Sequence, residues 1–156
     1  MHILKMKPEQ KPERVDIPDT LEAMQKVVGG YIQAVYPFEE PVALICNEEG
    51  KLNGLPLNRA LWDEDGNLYD IISGTFFLCA APPDAENFQS LSEEQLVYYE
   101  ERFHCPEMFL NVNGKLICLP RESIRRISPQ DRSTSSGVPG RSNKIKALPR
   151  IRSVEA

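Results

Sequence analysis

Every aromatic residue of this 156-residue chain lies before Pro120. The twelve Phe, Trp and Tyr side chains, with 55 of the 64 apolar residues, confine a packed core to the first 120 positions, because the last 36 hold only 9 apolar residues. A segment so poor in large apolar groups buries too little surface to offset the entropy of ordering it. The chain therefore reads as a single domain over 1–120 followed by a basic tail over 121–156, mobile and disordered from 128 onward. Charge divides at the same place, with 9 Lys and Arg against 20 Asp and Glu before the boundary, a net of −11, and 9 against 3 after it, a net of +6. One core of this size is feasible and two are not. Fibrous and wholly disordered classes are excluded for the body.

No stretch of eighteen apolar residues occurs, and Met1 to Lys11 alternates polar and apolar residues without a secretory hydrophobic segment, so a cytoplasmic protein without membrane contact is expected. Cys46, Cys79, Cys105 and Cys118 are 33, 26 and 13 residues apart, which leaves no paired-cysteine zinc knuckle. The expectation is four reduced thiols: Cys46, Cys79 and Cys118 as small core hydrophobes, and Cys105 at a helix end.

Local patterns give the elements. His2 to Met6 alternates and can pair with Arg14 to Ile17 as a hairpin. Asp19 or Thr20 caps a helix whose inner face is Leu21, Met24, Val27 and Val28, with Glu22 as a capping-box partner of Asp19. Gly29-Gly30 ends that helix and precedes a strand-like Tyr31 to Tyr36, the wrong order for a phosphate cradle, which leads into a helix. Val42 to Cys46 is an apolar buried-strand run, and Ile71 to Ala80 reads as one long apolar strand. Three Asx-rich, glycine-containing turns, Asn47 to Leu52, Asp63 to Leu68 and Asn111 to Leu116, each signal a hairpin. Leu55 to Leu61 reads as irregular. Ser92 opens a second helix with Gln95 as its box partner, Leu91 stapled on Leu96, and an inner stripe of Leu96, Tyr99 and Phe103; it ends before Pro106. The fold class is α+β, a small mixed and mostly antiparallel sheet with two helices packed on one of its faces.

The candidate sites are few. Asp63, Glu64, Asp65 and Asn67 imitate a calcium loop, but Gly66 stands fourth where sixth is needed and no acid closes the far end, so a solvated acidic turn is expected. His2 and His104 are the two histidines; His104 beside Cys105 reads as a polar helix end, because adjacent helical side chains point about 100° apart. Serine-hydrolase, P-loop, dinucleotide-fold and zinc-protease motifs are absent, so no catalytic, cofactor or metal residue is assigned. Arg59, between Asn58 and Trp62, can present a fork to phosphate or carboxylate, or can pair internally with an acid or with carbonyls. Trp62, Tyr31 and Tyr36 read first as core or sheet-face aromatics. In the tail, Arg121, Arg125, Arg126, Arg132, Arg141, Lys144, Lys146, Arg150 and Arg152 suffice for salt-sensitive phosphate contact, although no aromatic is there to stack on a base; folding back on the acidic body is the alternative.

The stretches Thr20 to Ile32, Gly54-Leu55-Pro56-Leu57-Asn58-Arg59-Ala60-Leu61 and Tyr69-Asp70-Ile71-Ile72-Ser73-Gly74-Thr75-Phe76-Phe77 resemble domain of unknown function 3846, over about residues 2 to 110. The resemblance implies a small bacterial protein of plasmids, conjugative elements or phages, sometimes encoded near antirestriction genes, and carries over no catalytic residue. Asn58, Arg59 and Gly74 match its pattern and, with Trp62, mark the candidate ligand or interaction loop. Three function classes follow as expectations. The first is a non-enzymatic module whose acidic body binds a protein partner, in one version by mimicking the phosphate array of DNA. The second is a nucleic-acid binder acting through the tail, and the third a small-ligand binder or enzyme at the Asn58-Arg59 loop.

Overall fold

The structure is a computed structural model and describes residues 1–121, so the tail positions Arg125 to Arg152 and the expected disorder lie outside the described residues. The elements run β1 (His2–Met6), β2 (Glu13–Asp16), α1 (Leu21–Val28), β3 (Ile32–Val35), β4 (Val42–Asn47), β5 (Leu57–Trp62), β6 (Leu68–Ser73), β7 (Phe76–Ala80), α2 (Glu93–Arg102), β8 (Glu107–Val112) and β9 (Lys115–Pro120). β2-β1-β7-β4-β3 form an antiparallel five-stranded sheet, while β5-β6 and β8-β9 are separate antiparallel hairpins. This is the expected α+β class.

The three central strands are apolar at nearly every position, so both faces of the sheet need cover. Leu4, Leu44, Leu78 and Phe76 point to one face, where Leu96, Tyr99 and Phe103 of the α2 region pack with Leu61 and Ile72. Ile3, Ile45, Phe77 and Cys79 point to the other, against Met24 and Val28 of α1. The two helices thus lie on opposite faces rather than on one, because an eight-residue helix covers only part of a sheet apolar on both sides. Full burial of side chains such as Phe76, Phe77 and Leu78 stabilises the sheet by about 1.5–3 kcal/mol each.

Capping follows the local chemistry. Thr20 is the N-cap of α1, its Oγ1 accepting from the Ala23 N–H at 3.1 Å, and Gly29 ends the helix in the left-handed region at φ 79°. Leu21 is exposed, so the inner face narrows to Met24 and Val28, with Ala23 and Val27 at its margin. In α2, Ser92 and Gln95 form the reciprocal capping box.

Three further expectations are corrected. The run from Ile71 to Ala80 is two strands: Gly74, at φ 80°, turns the chain so that β6 pairs with β5 while β7 enters the centre of the main sheet. The turn at Asn47 to Leu52 does not return along β4, whose neighbours are β3 and β7; the Asn47 side chain donates to the Val28 carbonyl at 3.2 Å and accepts from the Glu49 N–H at 2.8 Å, tying the end of α1 to this turn. The segment from Leu55 to Leu61 is irregular only in part, since β5 begins at Leu57 with its register shifted beside Asn58.

Candidate functional site

The bulge in β5 explains the most unusual burial in the chain. Leu57 pairs with Ser73 and Arg59 with Ile72, so Asn58 is the extra residue, and consecutive side chains that would alternate in a regular strand both turn inward. Asn58 and Arg59 are 0% exposed. Asn58 Nδ2 donates to the carbonyls of Met6 at 2.9 Å and Gly74 at 2.7 Å, and its Oδ1 accepts from Arg59 Nη1 at 2.8 Å. Arg59 Nη2 donates to the carbonyls of Gln10 at 2.6 Å and Phe103 at 3.2 Å. Burial holds the Arg59 pKa below the ordinary guanidinium value, with Glu107 acting against it. Asn58, Arg59 and Gly74 therefore belong to one internal network joining the β1–β2 loop, β5, the β6–β7 turn and the end of α2. They open to no surface.

Trp62, the fourth candidate, sits at the far end of β5 in a different setting. Its neighbourhood is a cleft of about 460 Å³ lined by Tyr36, Phe38, Glu39 and Glu40 from the β3–β4 connection, Trp62, Asp63 and Glu64 from the β5–β6 turn, Tyr69 of β6, and Tyr98, Tyr99 and Arg102 of α2. Tyr36, Tyr69 and Tyr98 are 60%, 54% and 50% exposed; of the aromatics expected in the core or on a sheet face, Tyr31 and Tyr36 flank β3 and lie outside the core. A second register shift, between Leu61 and Trp62, leaves Tyr69 as the extra residue opposite them and sets it on the rim.

The cleft floor is ordered. Tyr99 is buried, its ring centroid 4.9 Å from that of Phe38 and its hydroxyl 3.4 Å from Glu40 Oε1. Burial, and then the Glu40 charge, raise the Tyr99 hydroxyl pKa far above the ordinary phenol value. The Arg102 guanidinium lies 4.9 Å from the Phe38 centroid and 5.9 Å from that of Phe103, within cation–π range. Four acids face this one cation. None of Glu39, Glu40, Asp63 and Glu64 forms an ion pair among the described residues. Glu39 and Glu64 hydrogen-bond to each other, which together with repulsion from Glu39, Asp65 and Asp63 raises the Glu64 pKa above the ordinary carboxyl range.

Sequence reasoning singled out Trp62 and treated Asp63 to Asn67 as a solvated turn, but missed the cleft. The legible signal is a repeated pattern, an aromatic followed by two acids, in Phe38-Glu39-Glu40 and Trp62-Asp63-Glu64. Only tertiary packing brings the two together. Among the other residues considered, His104 is exposed beyond the end of α2, and Cys46 and Cys79 are buried, which pushes their thiols up to about 11 and about 12. Cys118 is also buried, with Sγ 2.8 Å from Glu107 Oε2. Arg121 pairs with Glu9. No group of three His, Cys, Asp or Glu among the described residues is arranged to hold a metal, and no helix there is long and apolar enough to cross a membrane.

Fold and cleft together define a small α+β domain with an acidic, aromatic-walled surface site. A family profile described as domain of unknown function DUF3846 matches residues 1–104, and the chain belongs to that family. The matched span includes Asn58, Arg59, Gly74 and every residue of the cleft, and ends before β8–β9. No curated protein and no solved structure matches the chain.

Proposed function

We propose that this protein is an accessory protein of a mobile genetic element that works by contact, its acidic body engaging a basic surface on a host or element protein in an antirestriction-like or host-modulating role. One observation carries the reading: four acids without ion pairs among the described residues converge with exposed tyrosines on a single cleft, in a body of net −11. Charge in such a patch attracts and orients a basic partner, and exposed aromatics supply contact area at small entropic cost. The mobile-element setting rests on the family resemblance.

The test is affinity capture of the full chain from a bacterial host, after nuclease treatment and at stepped salt concentrations. A discrete protein retained at low salt and released as salt rises supports the reading, because screening shortens the reach of surface charge. Retention that disappears with nuclease favours the second reading, nucleic-acid contact through the tail, for which the observation is a net of +6 in the last 36 residues.

A further inference from the structure

We propose that the cleft between the β3–β4 connection, the β5–β6 turn and α2 is a binding site for an arginine side chain of the partner protein. The inference rests on the contact reading above and assigns the chemical group that would be recognised.

The walls select for a flat organic cation. Tyr36, Trp62, Tyr69 and Tyr98 are aromatic, and the faces of such rings carry negative partial charge that attracts a guanidinium. The molecule already uses this chemistry at the same place, since Arg102 lies over Phe38 at 4.9 Å. Carboxylates of Glu39, Glu40, Asp63 and Glu64 outnumber Arg102 and lack ion pairs among the described residues, so the cleft keeps an excess of negative charge that an incoming cation would offset. The Glu39–Glu64 contact shows this excess at work, because Glu39, with Asp65 and Asp63, holds the Glu64 pKa above the ordinary carboxyl range. A guanidinium offers paired N–H donors to both carboxylates and brings the positive charge they lack. A bare divalent cation fits less well: no metal-holding group of acids is present among the described residues, and ring faces are poor partners for a strongly hydrated ion. A volume of about 460 Å³ accommodates one long side chain and its flanking backbone.

Trp62 is the only tryptophan in the chain, so its emission reports on this cleft directly. The full chain is titrated with Nα-acetyl-arginine amide and, in parallel, with the uncharged isostere Nα-acetyl-citrulline amide, while amide shifts are followed by NMR. The expected result is a saturable change in Trp62 emission with a Kd on the order of millimolar for the arginine compound and none for citrulline, with shifts grouped at Glu39, Trp62, Glu64 and Tyr98. The double variant Glu39→Gln, Glu64→Gln is expected to bind about fivefold more weakly, and Tyr31→Ser, outside the cleft, to bind as the parent does. An equal response to citrulline, an absence of saturable change by both methods, or shifts grouped elsewhere would overturn the assignment. Tighter probe binding by a chain ended after Arg121 would make the protein's own basic segment the occupant and overturn it as well. A partner retained without regard to the cleft variants defeats this inference alone, whereas specific probe binding with no partner captured defeats the contact reading alone.

Discussion

Arg59 is held by carbonyls. Its guanidinium donates to main-chain oxygens of Gln10 and Phe103 and to the side chain of Asn58, with Glu107 supplying a compensating charge. Replacing it with Met leaves these acceptors buried without donors, so Arg59→Met is expected to destabilise the domain by about 3 kcal/mol in chemical denaturation. Arg59→Lys should recover only part of this, because an ammonium cannot span the same fork of acceptors. Glu64 titrates in the opposite sense from an ordinary surface acid. Its folded-state pKa lies above the ordinary 4.5, so its contribution to stability is complete below that value and is lost as pH rises through the raised one. The groups facing it are Glu39, Asp63 and Asp65, with Glu40 and Arg102 also lining the cleft. Glu64→Gln should remove that loss: thermal melts from pH 4 upward are expected to show the variant gaining on the parent as pH rises, and a parallel decline of both would contradict it. Glu100 behaves conversely. Its hydrogen bonds to Arg14 hold its pKa below 4.5, so that contribution is present above 4.5 and fades as pH falls through the lowered value.

At the scale of elements, α2 shows the most direct passage from sequence to structure. Ser92 and Gln95 cap it reciprocally, and Ser92→Ala is expected to cost about 1 kcal/mol, read as a lower denaturation midpoint with unchanged slope. This cap, the β1–β2 and β8–β9 hairpins, the turn between β5 and β6 and the glycine end of α1 are legible, because each depends on residues close in sequence. Gly74 was not recognised as a break, because apolar residues continue on both sides and periodicity cannot separate two buried strands from one. The inward turn of both Asn58 and Arg59 was equally hidden, since it depends on a bulge set by pairing with β6. The placement of α1 and α2 on opposite faces follows from sheet order, and the cleft from three elements distant in the chain. Gly74→Ala tests the turn: the added Cβ would lie 2.7 Å from Leu55 Cδ1 and 3.3 Å from its Cβ, at a φ that disfavours side chains. A cost of about 1–3 kcal/mol is expected, larger than for a glycine to alanine change in open, negative-φ backbone.

The whole molecule is governed by where its charge sits. Arg121, just past β9, donates its N–H to the Pro106 carbonyl at 2.7 Å, and its guanidinium pairs with Glu9. The core clusters on both sheet faces and at the β8–β9 hairpin are built from residues up to Cys118, and a chain ended after Arg121 keeps every one of those contacts. It also keeps 20 acids against 10 Lys and Arg, a net of −10, compared with −5 for the full chain. Self-repulsion grows with net charge and is screened by salt. The shortened chain is therefore expected to melt cooperatively within about 5 °C of the full one at physiological salt, yet to gain more in Tm as salt is raised. Calorimetry at low and high ionic strength checks both parts. Equal salt dependence would mean that the basic segment does not offset the body's field, and a non-cooperative melt would mean that residues past Arg121 complete the core.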